Sequence, residues 1–487
     1  MEQTDFDVLI VGAGLSGIGA AYHLQTSCPT KSYAILESRE RLGGTWDLFR
    51  YPGIRSDSDM YTLGYAFRPW TNPQAIADGD AILAYLQETA EAYGIDRKIT
   101  YGRRVEGARW SSKKARWSVD VRDLATDQVV TYTCSFLFVC AGYYDYDAGY
   151  TPEFAGASEF RGRIVHPQKW TPDIDYDGKR VVVIGSGATA VTLVPELAKR
   201  ASHVTMLQRS PTYIVSGPER DQVADWLRER FSAHTAYAIT RWKNVLRSMG
   251  IYGFSRKFPE QAKKLFIGMV RKELGETYDV DKHFTPSYNP WDQRLCLVPD
   301  GDLFAAIKEA RASVVTDHIE RFTERGIMLR SGEEIDADLI VTATGLKLKF
   351  LGGLALEVDG QRIMPNEQMS YYGMMLSEVP NLAMAIGYTN ASWTLKCDLT
   401  SEYVCRLLNY MDKKGLAQCT PVRDPNVQEE PLLNFSSGYI QRSIDDFPRQ
   451  GTLAPWKVYQ NYVLDRLVFR RKRVDDKAMR FAPPPAP

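Results

Sequence analysis

Short runs of β-branched and aliphatic residues that stop at a glycine recur along this chain, and each predicts a buried strand. Asp7 to Val11 is the first. Beyond its glycine turn, Leu15, Ile18 and Tyr22 fall on one helical face, and Gly14, Gly17, Ala20 and Ala21 allow close helix–sheet approach. Tyr33 to Leu36 is the next strand and Glu37 ends it, which completes a βαβ unit. Arg39 to Phe67 reads as loop. Asp80 to Tyr93 is an amphipathic helix through Ile82, Tyr85, Leu86 and Thr89. Trp117 to Val121 and Val129 to Thr133 alternate like the strands of a hairpin, and Phe136 to Cys140 reads as a separate buried strand.

Asp145 to Pro172 is a connector rich in Tyr, Pro and Gly. A second βαβ unit follows, with strands Val181 to Ile184 and Val204 to Gln208 and a helix that Pro195 should kink. Pro218 to about Tyr278 is helical and interrupts that unit. Leu339 to Ala343 and Leu382 to Ile386 are further buried strands, Asp398 to Met411 a helix, and the tail PPPAP reads as disordered. The pattern predicts an α/β protein with two Rossmann-like dinucleotide-binding domains and an inserted helical subdomain. The expected division is 1–147 and 346–487 for the first domain, 148–218 and 291–345 for the second, and 219–290 for the insert.

Composition narrows the class only a little. Lys+Arg and Asp+Glu balance at 60 each in 487 residues, so overall charge gives no reason to expect a nucleic-acid partner. Seven cysteines without regular spacing suggest buried free thiols in a reducing cytosol, with no metal site. The N-terminus lacks a basic leader, and no run of about 18 apolar residues predicts a membrane span.

The glycine turns carry the first chemistry. Gly12, Gly14 and Gly17 form G-x-G-x-x-G between strand and helix, with Glu37 about 20 residues further on. Such a loop lets backbone approach a pyrophosphate at a helix N-terminus, and Glu37 would accept from the adenosine ribose. Gly185-x-Gly187-Ala188-Thr189-Ala190 repeats the pattern. Arg209 and Ser210 replace the acid there, which suits the 2′-phosphate of NADPH. Gly43-Gly44-Thr45-Trp46 and Arg50 to Asp57 form an aromatic loop where backbone could lie against a flat ring. It holds no cysteine pair, which argues against disulfide reduction. Asp57 there is either a turn residue or a buried anion, for which Arg294 is a candidate cation.

Phe160, Gly162, His166 and Trp170 spell FxGxxxHxxxW, between the loop GGTW…RYPG…D and the second glycine loop. In this order the chain resembles the class B flavoprotein monooxygenases, and Trp170 in the last place favours their Baeyer–Villiger branch. The resemblance covers essentially the whole chain. It implies FAD and NADPH as cofactors, with O2 and a ketone or sulfide as substrates. A C4a-peroxyflavin would insert oxygen into ketones to give esters or lactones, and oxidise sulfides or thioamides. It further implies that Arg294 stabilises developing negative charge, that Asp57 pairs with it, and that Gly44, Thr45, Trp46 and Asp57 contact the flavin. Phe160 to Trp170 would be a hinge, so His166 is not read as a general base.

The chain departs from the family at Gln293, where many members carry Lys, at Thr171-Pro172, and at Gly387 to Asn390, which replaces a proline-containing loop. The alternatives are an S- or N-oxygenating flavin monooxygenase with little ketone activity, and a redox-sensing flavoprotein. The basic run Arg466 to Arg473 is either a solvated surface or a weak peripheral membrane contact.

Overall fold

The computed structural model describes residues 3–433 and 436–486. Strand Asp5–Val11 lies between Tyr33–Leu36 and Val129–Val139 and is parallel to both, with Val8 opposite Tyr33 and Phe136. It sits inside a nine-stranded sheet, and Val8, Leu9 and Ile10 are fully buried. Helix Leu15–Ser27 covers one face, packed between this sheet and helix Trp393–Lys414. A Cβ on Gly17 would lie 1.9 Å from the Gly12 carbonyl oxygen, so only glycine lets the helix start there.

Two expected strands are one. The hairpin strand and the buried strand merge into Val129–Val139, antiparallel to Arg116–Asp123 on one side and parallel to Asp5–Val11 on the other. The pattern changes along it because its first residues are exposed, whereas Phe136 to Val139 are buried on both faces. The expected helix Asp398 to Met411 extends to Trp393–Lys414.

The second sheet has five parallel strands in the order Ala312–Thr316, His203–Gln208, Arg180–Ile184, Leu339–Thr342, Arg163–Val165. Pro195 falls in the last turn of helix Ala188–Leu197, where a lost amide donor costs little continuity. The connector is more ordered than expected. Its segment Tyr144–Gly149 pairs antiparallel with Leu346–Leu348, so the outgoing and returning links between the two sheets form one ribbon.

The insert contains helices Gln222–Arg228, Ala233–Lys257 and Pro259–Leu274, the first two capped by Asp221 and Ser232. It packs on both sheets' layers. Buried Arg241 donates to the carbonyls of Tyr61 and Gly64 at 2.8 and 2.7 Å, while Val270 and Leu274 join the core of the second sheet. Helix Tyr462–Arg471 packs against Trp393–Lys414, and the last strand, Met479–Ala482, pairs antiparallel with Gln418–Pro421. Pro483 to Ala486 lie in no helix or strand, and Pro487 is outside the described residues. No helix among the described residues is long and apolar enough to cross a membrane.

Candidate active site

Both glycine loops open on one cavity of about 1240 Å³. Gly12 adopts φ +102°, and a Cβ there would meet the Cys140 carbonyl oxygen at 2.8 Å. Gly185 adopts φ +134°, with the Ala343 carbonyl oxygen 2.4 Å from the same position. These are the places where sharp turns bring the helix N-termini onto the strand ends. Around Gly187 nothing lies within 4 Å, so the second loop is open to a ligand. Gly14 faces Gly44, and a side chain on Gly44 would sit 3.1 Å from the Gly14 Cα. Gly17 does not line the cavity, nor does its counterpart Ala190; Gly17 lies behind the turn it makes possible.

Glu37 is buried at the end of its strand. Its carboxylate accepts from the Ala13 amide at 2.7 Å and the Arg39 amide at 2.8 Å. Burial pushes its pKa up and these amides pull it back. The same carboxylate lines the cavity with lone pairs to spare, as a ribose diol requires. Thr45 and Trp46 line the wall beside it, and the Thr45 hydroxyl lies 3.4 Å from that of Tyr146. Glycine turn, helix N-terminus and acceptor together fit an adenine dinucleotide at the first loop. At the second, Ala188, Thr189, Arg209 and Ser210 line the same cavity. Arg209 is exposed and has no ion-pair partner among the described residues.

Arg294 and Asp57 both line this cavity, each from a loop. The expected direct pair is not made: no ion-pair contact joins them among the described residues. One Arg294 amine lies 3.3 Å from the Tyr143 hydroxyl. The hydroxyls of Tyr439 and Tyr143 hold the guanidinium well above its ordinary pKa, with Tyr144 and Asp57 adding to them. Burial pushes the Asp57 carboxyl up, against the opposing pull of Arg294 and Arg55. Arg55 turns away and binds Asp302 at 2.5 Å. Asp57 is exposed on the cavity wall and acts on Arg294 through space.

None of Phe160, Gly162, His166 and Trp170 lines the cavity. Phe160 packs edge-on to Phe322, and a Cβ on Gly162 would strike the Asp338 carbonyl at 2.5 Å. Trp170 is buried against Tyr176. The His166 ring lies on Gly149, its Nε2 is 3.2 Å from the Gly345 carbonyl, and its Nδ1 accepts from the Gln168 amide. Burial lowers its pKa. It therefore touches both strands of the inter-sheet ribbon and no cavity surface.

Sequence reasoning missed Tyr143 and Tyr439 as partners of Arg294, although Ala141-Gly142-Tyr143 stood at a strand end where ligands bind. It also missed how the departing loop Gly387 to Asn390 is held. The Tyr388 hydroxyl donates to Asp465 at 2.7 Å, Lys396 binds the same carboxylate oxygen at 2.7 Å, and the Gln460 side-chain oxygen accepts from the Thr389 amide and hydroxyl at 3.1 Å. Nothing local in the sequence announces these contacts.

Two dinucleotide loops, one cavity and a half-buried cation lining it define a flavoprotein oxidoreductase of the two-dinucleotide type. Residues 9–248 match the family model described as pyridine nucleotide-disulphide oxidoreductase, while the seven cysteines are all buried and free. The chain belongs to the FAD-containing monooxygenases. It is 57% identical to the FAD-containing monooxygenase EthA of Mycobacterium tuberculosis over 483 residues, 99% of this chain and 98% of the relative. It is 52% identical to EthA of Mycolicibacterium smegmatis over 98% of this chain and 97% of that one. Among solved structures, an oxidized steroid monooxygenase bound to NADP has the same fold, with TM-score 0.80, 23% identity and 99% and 100% of the two chains covered. An open cyclohexanone monooxygenase follows at TM-score 0.76 and 19% identity over 98% and 100%.

Proposed function

We propose that this flavin monooxygenase consumes NADPH and inserts one atom of O2 into ketones, giving esters or lactones, and that it also oxygenates sulfides and thioamides. The overall balance is ketone, O2, NADPH and a proton to ester, NADP+ and water. Bound flavin, reduced by the nicotinamide, supplies the oxygen-transfer chemistry. The protein's part is to place a ketone beside the ring, keep water out and stabilise negative charge on oxygen.

The observation that carries this reading is the Arg294 guanidinium, which lines the cavity that the two loops share and bonds the Tyr143 hydroxyl. A permanently charged fork suits a developing oxyanion better than an amine that could lose its proton. Tyr143 holds the fork, and Asp57 offsets its charge. Arg209 and Ser210, at the rim of the second loop, are assigned to the 2′-phosphate, with Gln293 contributing no charge there. Glu37, Gly12, Gly14, Gly44, Thr45 and Trp46 are assigned to FAD, and Gly185, Gly187, Ala188 and Thr189 to NADPH. His166 and its neighbours in the fingerprint are assigned to the hinge.

The test is a product screen of the FAD-loaded enzyme with a cyclic ketone and an aryl methyl sulfide, beside Arg294→Ala. The expected wild-type products are lactone and sulfoxide. In Arg294→Ala, NADPH oxidation continues while lactone falls by at least about 100-fold, the loss typical of removing one oxyanion donor. Sulfoxide without lactone from the wild type identifies an S-oxygenating enzyme instead. Undiminished lactone from Arg294→Ala removes the role given to that residue.

A further inference from the structure

Outside the cofactor cavity, the helical insert carries a surface that the oxygenation chemistry does not use. Ten of the eighteen large apolar side chains exposed among the described residues lie between positions 222 and 274. They are not one oily patch. On helix Ala233–Lys257, Leu246, Gly250 and Phe254 follow at i, i+4 and i+8, and Phe258 continues the stripe beyond the helix end. The Phe254 and Phe258 rings lie 5.8 Å apart at the tip, with the Lys257 ammonium 5.3 Å from the Phe258 ring. The returning helix Pro259–Leu274 has two apolar stripes. Ala262, Phe266, Val270 and Leu274 are buried. Leu265 and Met269 point outward, bracketed by exposed Lys264 and Lys272.

Charge follows the same surface. The two helices carry nine Lys and Arg against two Glu, in a chain whose total is neutral. Arg247, Lys257, Lys264 and Lys272 have no ion-pair partner among the described residues. The C-terminal basic run differs: Arg466 stacks on Trp242 at 4.8 Å, Arg470 binds Glu402, and Arg473 binds Asp475. Three of its five cations thus have partners within the chain.

We propose that the hairpin 233–274 is a membrane-surface anchor, which lays Phe254, Phe258, Leu265 and Met269 into the interface of an anionic bilayer while its lysines meet the phosphates. Single aromatic and aliphatic side chains interleaved with basic ones match a lipid interface, where each apolar group enters the acyl boundary and each cation stays at headgroup level. A protein partner would instead bury a contiguous apolar centre depleted of Lys.

Co-sedimentation of the full-length, FAD-loaded enzyme tests this, with vesicles of phosphatidylcholine alone or with a quarter phosphatidylglycerol. Binding is expected to the anionic vesicles and to weaken at least about tenfold from about 0.1 to 0.5 M NaCl. Lys257→Glu with Lys264→Glu, and separately Phe254→Ser with Phe258→Ser, should each abolish most of it, with NADPH oxidation in solution unchanged. Arg471→Glu with Lys472→Glu should bind like the wild type. The proposal is overturned if anionic vesicles bind no more than neutral ones, or if the C-terminal variant loses binding while the hairpin variants keep it. It is also overturned if light scattering shows the phenylalanine variant dissociating an oligomer with no effect on lipid, which gives the face to a second copy of the chain.

Discussion

Lys396→Met should cost this protein more stability than removing Lys396 and Asp465 together. The two side chains are 3% and 2% exposed and meet at 2.7 Å, with Tyr388 donating to the same carboxylate oxygen and the Phe469 ring 4.3 Å from the ammonium. Burial alone lowers the Lys396 pKa, and Asp465 works against that drop. Removing the lysine leaves a buried carboxylate with one phenol donor, for which about 3–5 kcal/mol is the usual loss. Asp465→Leu strands the ammonium at a similar cost. Lys396→Met combined with Asp465→Leu removes both charges and leaves only the Tyr388 hydroxyl unpaired, at about 1–3 kcal/mol. The assay is urea unfolding at fixed FAD concentration, followed by tryptophan fluorescence, for the two singles and the double. Simple addition of the two losses, or a Lys396→Met loss under about 1 kcal/mol, refutes the reasoning, because a pair this buried must couple.

Four further outcomes are expected. Gln460→Ala releases the Thr389 amide and hydroxyl, and should raise KM for ketone or sulfide several-fold while substrate-free NADPH oxidation stays the same. Asp57 protonates above the ordinary carboxylate range, so the anion facing Arg294 disappears as pH falls through that raised value; an acid limb in kcat/KM should be present in the wild type and absent from Asp57→Asn. The same raised value means the native state holds this proton more tightly than the unfolded chain, so its contribution to stability is present at low pH and lost as pH rises through it. Gly185→Ala places a Cβ 2.4 Å from the Ala343 carbonyl and should weaken NADPH binding by more than about tenfold, with FAD content by absorbance unchanged. Gly149→Ala pushes a methyl into the His166 ring, 2.0 Å away, and should slow NADPH-dependent turnover without loss of FAD; unaltered turnover removes His166 from the ribbon's hinge.

Much of the site was legible before any fold was seen. The glycine loops, Glu37 and the Arg209-Ser210 pair were readable as candidates because dinucleotide recognition needs a few residues at fixed local spacing, and all but Gly17 and Ala190 line the cavity. Asp57 and Arg294 were readable only as candidates. Their common cavity was expected, but the guanidinium turned out to bond Tyr143, 151 positions away in sequence. Strand Val129–Val139 was split in the reading because its two halves have different burial, and burial of a face depends on what the rest of the chain packs against it.

By itself the sequence determined two dinucleotide-type βαβ units and the residues at each glycine turn, since these follow from short-range patterning and backbone sterics. Tertiary structure decided three things. It set Tyr143 rather than Asp57 against Arg294. It placed His166 on the ribbon between sheets instead of in the cavity. It tied the Tyr388 loop to Asp465, 77 positions further on. Each of these contacts joins segments that no local rule connects, and each exists because packing brings them together where a buried polar group must find a partner.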